Sequence, residues 1–169
     1  MKKDQIYYYK KIKSPIGILA LVATNRALVA LGWGEDLILI DKIFSNPIKD
    51  ESNKILEITI QQITEYFKKE RTIFDIPIDP AGTEFQKKVW NQLLKIPYGQ
   101  CITYGEQAKR IGSPKASRAV GAANGKNPIG LVIPCHRVIG ASGKLIGFAG
   151  GLEMKKKLIE HEAKGFLNE

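Results

Sequence analysis

Apolar and polar positions between residues 7 and 34 fall into three short blocks, YYYKKI, IGILALVAT and ALVALGWG. Each is rich in aromatic and branched side chains and is bounded by turn-forming residues, which predicts three successive strands. Thr24-Asn25-Arg26 supplies the turn between the second and third. From Asn53 to Lys69 the period lengthens to that of a helix, with Leu56, Ile60, Ile63 and Phe67 on one face. TIFDIPID, residues 72–79, alternates again and predicts a further strand, which Pro77 confines to an edge or an end. PAGT reads as a linker.

The pattern then changes to short helices. Thr83 and Gln86 have the spacing of a capping box, and Phe85, Val89, Trp90 and Leu93 follow at helical intervals. IPYGQ stops that helix. A second runs from about Thr103 to Ile111 and ends at Gly112. Ser113 is placed to cap a third, with Pro114 in its first turn, running through KASRAVGAANG. Two short helices around a glycine turn form a helix-turn-helix pattern, common in DNA readers and found equally in helical domains that bind nothing. The third helix is mostly Ala and Gly, and its polar reach is Lys115, Ser117, Arg118, Asn124 and Lys126. Sequence readers present long polar side chains to base edges. A small-residue helix fits close approach to a duplex with little sequence preference.

The chain has 169 residues, 44% of them hydrophobic, enough for two small domains with cores. The expected fold is a two-domain α/β protein: a sheet-plus-helix domain over 1–80 and a mostly helical domain over 81–169. Charge supports the division. The first 80 residues carry a net charge of +1, whereas the rest carry 14 Lys/Arg against 6 Asp/Glu, a net +8. A polyanion fits such a surface, because each neutralised phosphate releases a counterion. The bland alternative is a basic protein with no such partner. No apolar run reaches the roughly 20 residues of a membrane span, and the N-terminus lacks the apolar core of a secretory signal. The expected location is cytoplasmic, or nuclear in a eukaryote, and the two cysteines are expected to be reduced thiols.

The candidate chemistry lies at NPIGLVIPCHRVIG, residues 127–140. Leu131-Val132-Ile133 looks like a buried strand, interrupted by Pro134-Cys135-His136-Arg137. A free thiol has a pKa of about 8.5 and attacks only as a thiolate, so Cys135 needs a base or a positive environment. His136 is the adjacent base. Strand neighbours face opposite ways, so contact requires a turn at Pro134 or a bridging water. Glu162 shares a helix face with Met154, Leu158 and Ile159 and is a candidate to orient His136; the alternative is a carboxylate fraying into solvent. Metal chemistry is not expected: there are two Cys, two His and no zinc-ligand spacing. Cys101 reads as a small apolar residue and His161 as a surface one. No phosphate-loop glycine motif is present.

IPCHRVIG, followed by GFAGGLEMKKKLIEHE and preceded by YGEQAKRIGSPKASRAVGAANGKNP, strongly resembles the O6-alkylguanine-DNA alkyltransferases, from about Phe85 to Glu162. The resemblance implies a ribonuclease-H-like N-terminal domain and direct-reversal DNA repair, in which Cys135 takes the alkyl group irreversibly from O6-alkylguanine, with O4-alkylthymine a minor substrate. It implies that His136 deprotonates the thiol through a water, that Glu162 orients His136, and that Asn127 braces the turn to the active site. Tyr104 would help rotate the nucleotide out and hydrogen-bond the guanine ring, and Arg118 would fill the vacated stack. The carbonyls of Cys135 and Val138 would read the guanine amino group, with Phe148 and Ala149 completing the base pocket. Some members carry Tyr and Ser where this chain has Phe148 and Ala149; the ring can still pack, and the Ala149 N–H can still serve O6. No metal or cofactor is expected. The partner would be double-stranded DNA, held by the minor groove by a monomer, with cooperative assembly along DNA left open. The rivals are a lesion-binding protein without transfer, which Cys135 argues against, and a Cys-His thiol hydrolase, which would turn over repeatedly.

Overall fold

The computed structural model describes residues 5–34, 48–49 and 52–163. The chain divides into two compact units, Met1–Ala81 and Gly82–Glu169.

In the first unit, β1 (Tyr8–Ser14), β2 (Gly17–Ala23) and β3 (Leu28–Trp33) form an antiparallel meander, and the short β4 (Ile48–Lys49) pairs parallel to β1. The sheet order is β3-β2-β1-β4. Gly17, at φ +112°, closes the β1–β2 hairpin in a conformation other residues resist. Helix α1 (Lys54–Phe67) packs on β1, β2 and β3. Successive strand residues point to opposite faces. Thus Leu19 and Leu21 are fully buried, as are Leu56 and Ile63 to within 2%. Val22 instead joins a second cluster with Tyr7 and Val29. Asn53 caps α1 by accepting from Leu56 N at 3.1 Å, and its amide donates to Thr24 O, tying the helix start to the β2–β3 turn.

Two expectations are corrected here. The buried stripe of α1 is Ile55, Leu56, Thr59, Gln62, Ile63 and Tyr66, with Ile60 and Phe67 only partly covered. Polar residues enter the stripe because their hydrogen bonds are met inside it. The Thr59 hydroxyl donates to Ile55 O at 2.6 Å, and Gln62 both donates to and accepts from the backbone of Asp75. Residues 72–79 form no strand. Only Ile78 bridges to Leu28, through Leu28 N to Pro77 O and Asp79 N to Leu28 O. A side chain, Gln62, takes the place a strand partner would have held at Asp75.

In the second unit, α2 (Glu84–Leu93) starts with the full capping box: Thr83 accepts from Gln86 N, and Gln86 accepts from Thr83 N. Val89, Trp90 and Leu93 are buried while Phe85 stays 36% exposed. Trp90 Nε1 donates to Ala123 O at 2.8 Å and packs so close to Gly82 that a Cβ there would lie 2.5 Å from the ring. The helix-turn-helix is α3 (Tyr104–Arg110), capped by Thr103, and α4 (Ser117–Gly125). Gly112, at φ +72°, ends α3. Ser113 does not cap α4; its N–H closes back on Ala108 O and its carbonyl takes Ala116 N, so residues 113–116 form a separate turn that holds Pro114.

Residues 131–133 are buried but are not a strand. Leu131 sits at φ +68° and Ile133 N reaches back to Ile129 O, a single helical turn. A 3-10 turn (Cys135–Arg137) leads into β6 (Val138–Ile139), which pairs parallel with β5 (Ile102–Thr103). Helix α5 (Leu152–Ala163) packs on the 3-10 turn.

The helix-turn-helix is bolted by a buried amide pair. Asn124 Nδ2 donates to Gln107 Oε1 at 2.7 Å, and Gln107 Nε2 donates to Val89 O at 3.2 Å. Gln107→Leu should therefore cost about 1–3 kcal/mol, because it strands the Asn124 amide in the core, whereas Gln107→Leu with Asn124→Leu should recover part of that loss. Urea unfolding of the three proteins checks this; equal stability of wild type and single variant would contradict it.

Candidate active site

The 3-10 turn answers the directional problem of adjacent Cys and His. It replaces strand geometry, so Cys135 stays half-buried while His136 turns fully inside. Asn127 organises the approach: it accepts from Ile129 N at 3.1 Å and donates to Ile133 O at 2.8 Å. Its amide also favours the thiolate form of Cys135.

Glu162 lies beneath this turn, 1% exposed. His136 Nε2 is 2.8 Å from its Oε1. Arg137 donates from Nε to Oε2 at 2.9 Å and from a terminal nitrogen to Oε1 at 3.0 Å, a bidentate clamp. Gly99 N donates to Oε2 at 3.0 Å. Arg137 is itself held by Ile96 O at 2.6 Å and lies 5.8 Å from the centre of the Tyr98 ring. Burial opposes ionisation of Glu162, but the hydrogen bonds from His136 and Arg137 and the guanidinium charge outweigh it and hold the carboxyl far below its usual range. The carboxylate can only accept, so His136 Nε2 carries the proton. Nδ1 is then a bare lone pair, buried and without a hydrogen bond among the described residues. Burial pushes the His136 pKa down despite the Glu162 carboxylate, so the ring is a neutral base. Burial likewise pushes the Cys135 thiol up, against the Asn127 hydrogen bond, the Lys155 charge and backbone N–H groups. At rest the pair is thiol and neutral imidazole.

A second constellation faces the same thiol. Lys155 is completely shielded from solvent, and its Nζ donates to Ile146 O at 2.8 Å, Gly147 O at 3.5 Å and the Tyr104 hydroxyl at 3.4 Å. Tyr104 donates to Ile146 O at 3.0 Å. Burial raises the Tyr104 pKa, and a Cys135 thiolate would raise it further, which keeps it a phenol and a donor. Burial lowers the Lys155 pKa while Cys135 raises it. Lys155 thus ties the 146–147 loop to Tyr104 beside the sulfur.

Arg118, Lys115 and Lys126 are exposed on α4 and its flanks, and Ser117 is partly covered. Asn124 is a correction: it is 5% exposed and its amide is spent on Gln107, so it braces the helix pair from within and presents nothing to a ligand. Val138 is buried in β6, Phe148 is half-buried and Ala149 exposed. The Cys135 carbonyl already accepts from Val138 N, which leaves one lone pair for a ligand. Residue-level reading missed Arg137, Gly99 and Lys155. For Lys155 a signal existed: residues 155, 158 and 162 share one face of α5, but Lys155 opens a Lys-Lys-Lys run that reads as solvated. Among the described residues, no group of three or more His, Cys, Asp or Glu is placed to hold a metal, and no helix is long and apolar enough to cross a membrane.

A neutral imidazole, oriented by a buried carboxylate beside a half-buried thiol and mounted on a helix-turn-helix unit, defines a thiol-acceptor protein of DNA-binding architecture. Residues 84–164 match the DNA binding domain of 6-O-methylguanine DNA methyltransferase, and residues 7–80 match its ribonuclease-like domain. The chain belongs to the 6-O-methylguanine DNA methyltransferase family. A methylated-DNA–protein-cysteine methyltransferase of Methanosarcina acetivorans is 45% identical over 157 residues, covering 92% of this chain and 97% of its own. One from Mycolicibacterium paratuberculosis is 44% identical over 158 residues, with 92% of each covered. The crystal structure of Mycobacterium tuberculosis O6-methylguanine methyltransferase superposes with a TM-score of 0.88 at 42% identity over 97% of both chains. That of M. tuberculosis OGT in complex with DNA gives 0.86 at 44% identity over 94% of both.

The buried neutral imidazole makes a stability prediction. The folded His136 pKa lies below its unfolded value of about 6.5, so its contribution is complete above that pH and is lost as pH falls through the interval below it. Unfolding free energy should fall by up to about 1.4 kcal/mol per pH unit there. Glu162 adds little in this window, because the unfolded carboxyl, at about 4.3, is still largely ionised there and the Glu162 contribution is lost only at lower pH. Urea unfolding between about pH 7.5 and pH 5 checks the slope; a rise in stability across that range would contradict it.

Proposed function

We propose that this protein repairs alkylated DNA by direct reversal, taking the alkyl group of O6-alkylguanine onto Cys135 once and irreversibly, with O4-alkylthymine as a minor substrate. The observation that carries this reading is the Cys135 turn with the His136 lone pair fixed by Glu162 at 2.8 Å.

His136 Nδ1 takes the thiol proton through a bridging water, and Glu162 and Arg137 keep the imidazole oriented while it is charged. The sulfur attacks the alkyl carbon; the S–C bond forms as the C–O6 bond breaks, and the electron pair passes to guanine. The proton that left sulfur ends on the base, so atoms and charge balance and guanine is restored. Tyr104 gives up Ile146 O to donate to the ring as charge develops there. Lys155 holds the loop and the thiolate in place, and Asn127 supports the sulfur. The Cys135 and Val138 carbonyls receive the amino group, with Phe148 and Ala149 against the base. The thioether is not hydrolysed, so each molecule acts once.

A base inside a duplex must first be extruded, at a cost of a few kcal/mol. The Ala- and Gly-rich α4 allows the unit to sit in the minor groove with little sequence preference, as a monomer, and exposed Arg118 occupies the gap. Lys115, Ser117 and Lys126 contact the backbone. The protein works where its DNA is, in the cytoplasm of a prokaryote or the nucleus of a eukaryote.

Intact-protein mass spectrometry after incubation with a duplex holding a single O6-methylguanine should show one added methyl group, on Cys135, and none on Cys135→Ser. Bound duplex without an adduct would assign the protein to lesion recognition alone. Repeated release of product from unmodified protein would assign it to hydrolysis.

A further inference from the structure

A groove of about 380 Å³ opens between α2 and the end of α3, outside the Cys135 site. Four cations line it, Lys87, Lys88, Lys95 and Arg110, against one acid, Glu84. The fold does not need these lysines. Lys87 and Lys88 lie in the N-terminal half of α2, where the helix dipole disfavours positive charge. Lys87 meets Glu84 only at 3.7 Å, and that carboxylate is 96% exposed, so the pair contributes little. Among the described residues, Lys88 and Lys95 make no ion pair. Arg110 is partly neutralised by Glu106 at 2.8 Å, through Nε alone.

The groove is continuous with the helix-turn-helix. Arg110 and Ile111 on its wall run directly into Gly112 and the 113–116 turn, which carries exposed Lys115, and exposed Arg118 follows at the start of α4. Basic positions therefore extend from α2 across the end of α3 to the start of α4, within one compact unit. Lys87 and Leu93, the last residue of α2, are six residues apart, roughly 9 Å along the helix axis, and Lys95 lies in the turn just beyond. Over the helical stretch alone a duplex presents about five phosphates.

We infer that this groove seats the phosphate backbone of duplex DNA away from the extruded nucleotide, so that the unit grips the duplex at a second place. The inference rests on the reading of DNA as partner, and it concerns holding alone: none of the four cations touches the reacting atoms. Charge complementarity and continuity with the helix-turn-helix select the occupant, and an acidic protein surface is the competing outcome.

Fluorescence anisotropy on an undamaged duplex, titrated from about 50 to 200 mM salt, compares wild type with the combined variant Lys87→Ala, Lys88→Ala, Lys95→Ala. Each lost phosphate contact removes about 0.9 from the slope of log affinity against log salt, so the variant's slope should be shallower by about two to three units. Its low-salt affinity should fall at least about tenfold, and the matching Lys→Arg variant should keep both. With a saturating O6-methylguanine duplex, the transfer rate should equal that of wild type, as expected for a residue set that binds without acting on the chemistry. Unchanged slope and affinity in the alanine variant would overturn the inference. So would poly-glutamate competing for wild type, but not for the variant, as strongly as duplex does. Absence of methyl transfer in wild type would sink the repair reading instead, and the salt slope on undamaged duplex would still judge the groove.

Discussion

The arrangement around Cys135 depends on one buried carboxylate. Taking Glu162 out of water costs several kcal/mol even after relaxation, and the structure meets this with four hydrogen bonds, from Gly99, His136 and twice from Arg137. The bonds come from two separate segments and meet on a third, so the carboxylate does two jobs. It pins the 99–101 segment, the 3-10 turn and α5 together, and it fixes which imidazole nitrogen is bare. The Arg137 clamp matters to the second job: with a full positive charge already paired to Glu162, the carboxylate does not pull a second proton onto His136.

Lys155 is a second buried charge that acts on the same sulfur. Its ammonium is buried against the carbonyl oxygens of Ile146 and Gly147, and among the described residues it makes no ion pair. Its charge favours ionisation of the Cys135 sulfur, and a Cys135 thiolate would in turn raise the Lys155 pKa. The same Nζ reaches Tyr104, so Tyr104 and the 146–147 loop share one anchor.

Local signals with a mechanism in the sequence were legible. The capping box at Thr83 and Gln86, the Gly112 stop and the three-strand meander each express short-range chemistry, and each formed. Features that depend on long-range contacts were not legible. An apolar run such as 131–133 does not distinguish a strand from a buried turn, and here Asn127 decided it through two side-chain bonds. The strand expected at 72–79 lost its partner to Gln62. Asn124 looked like a ligand contact because only its helix position was visible, not Gln107 seventeen residues away. At the site, Cys135, His136 and Glu162 could be named from the sequence. The clamp of Arg137 and the buried Lys155 could not, since a charged side chain is read as exposed until its partners are known.

His136 rests as a neutral ring, protonated on Nε2 and bare on Nδ1. Long-range proton–nitrogen NMR correlation of the imidazole measures this directly. A protonated-type shift is expected for Nε2 and a lone-pair-type shift for Nδ1 at neutral pH, the pattern persisting below pH ~6.5 where a free histidine would have charged. Two protonated nitrogens at neutral pH, or the opposite tautomer, would contradict it, because no base would then remain to accept the proton of Cys135.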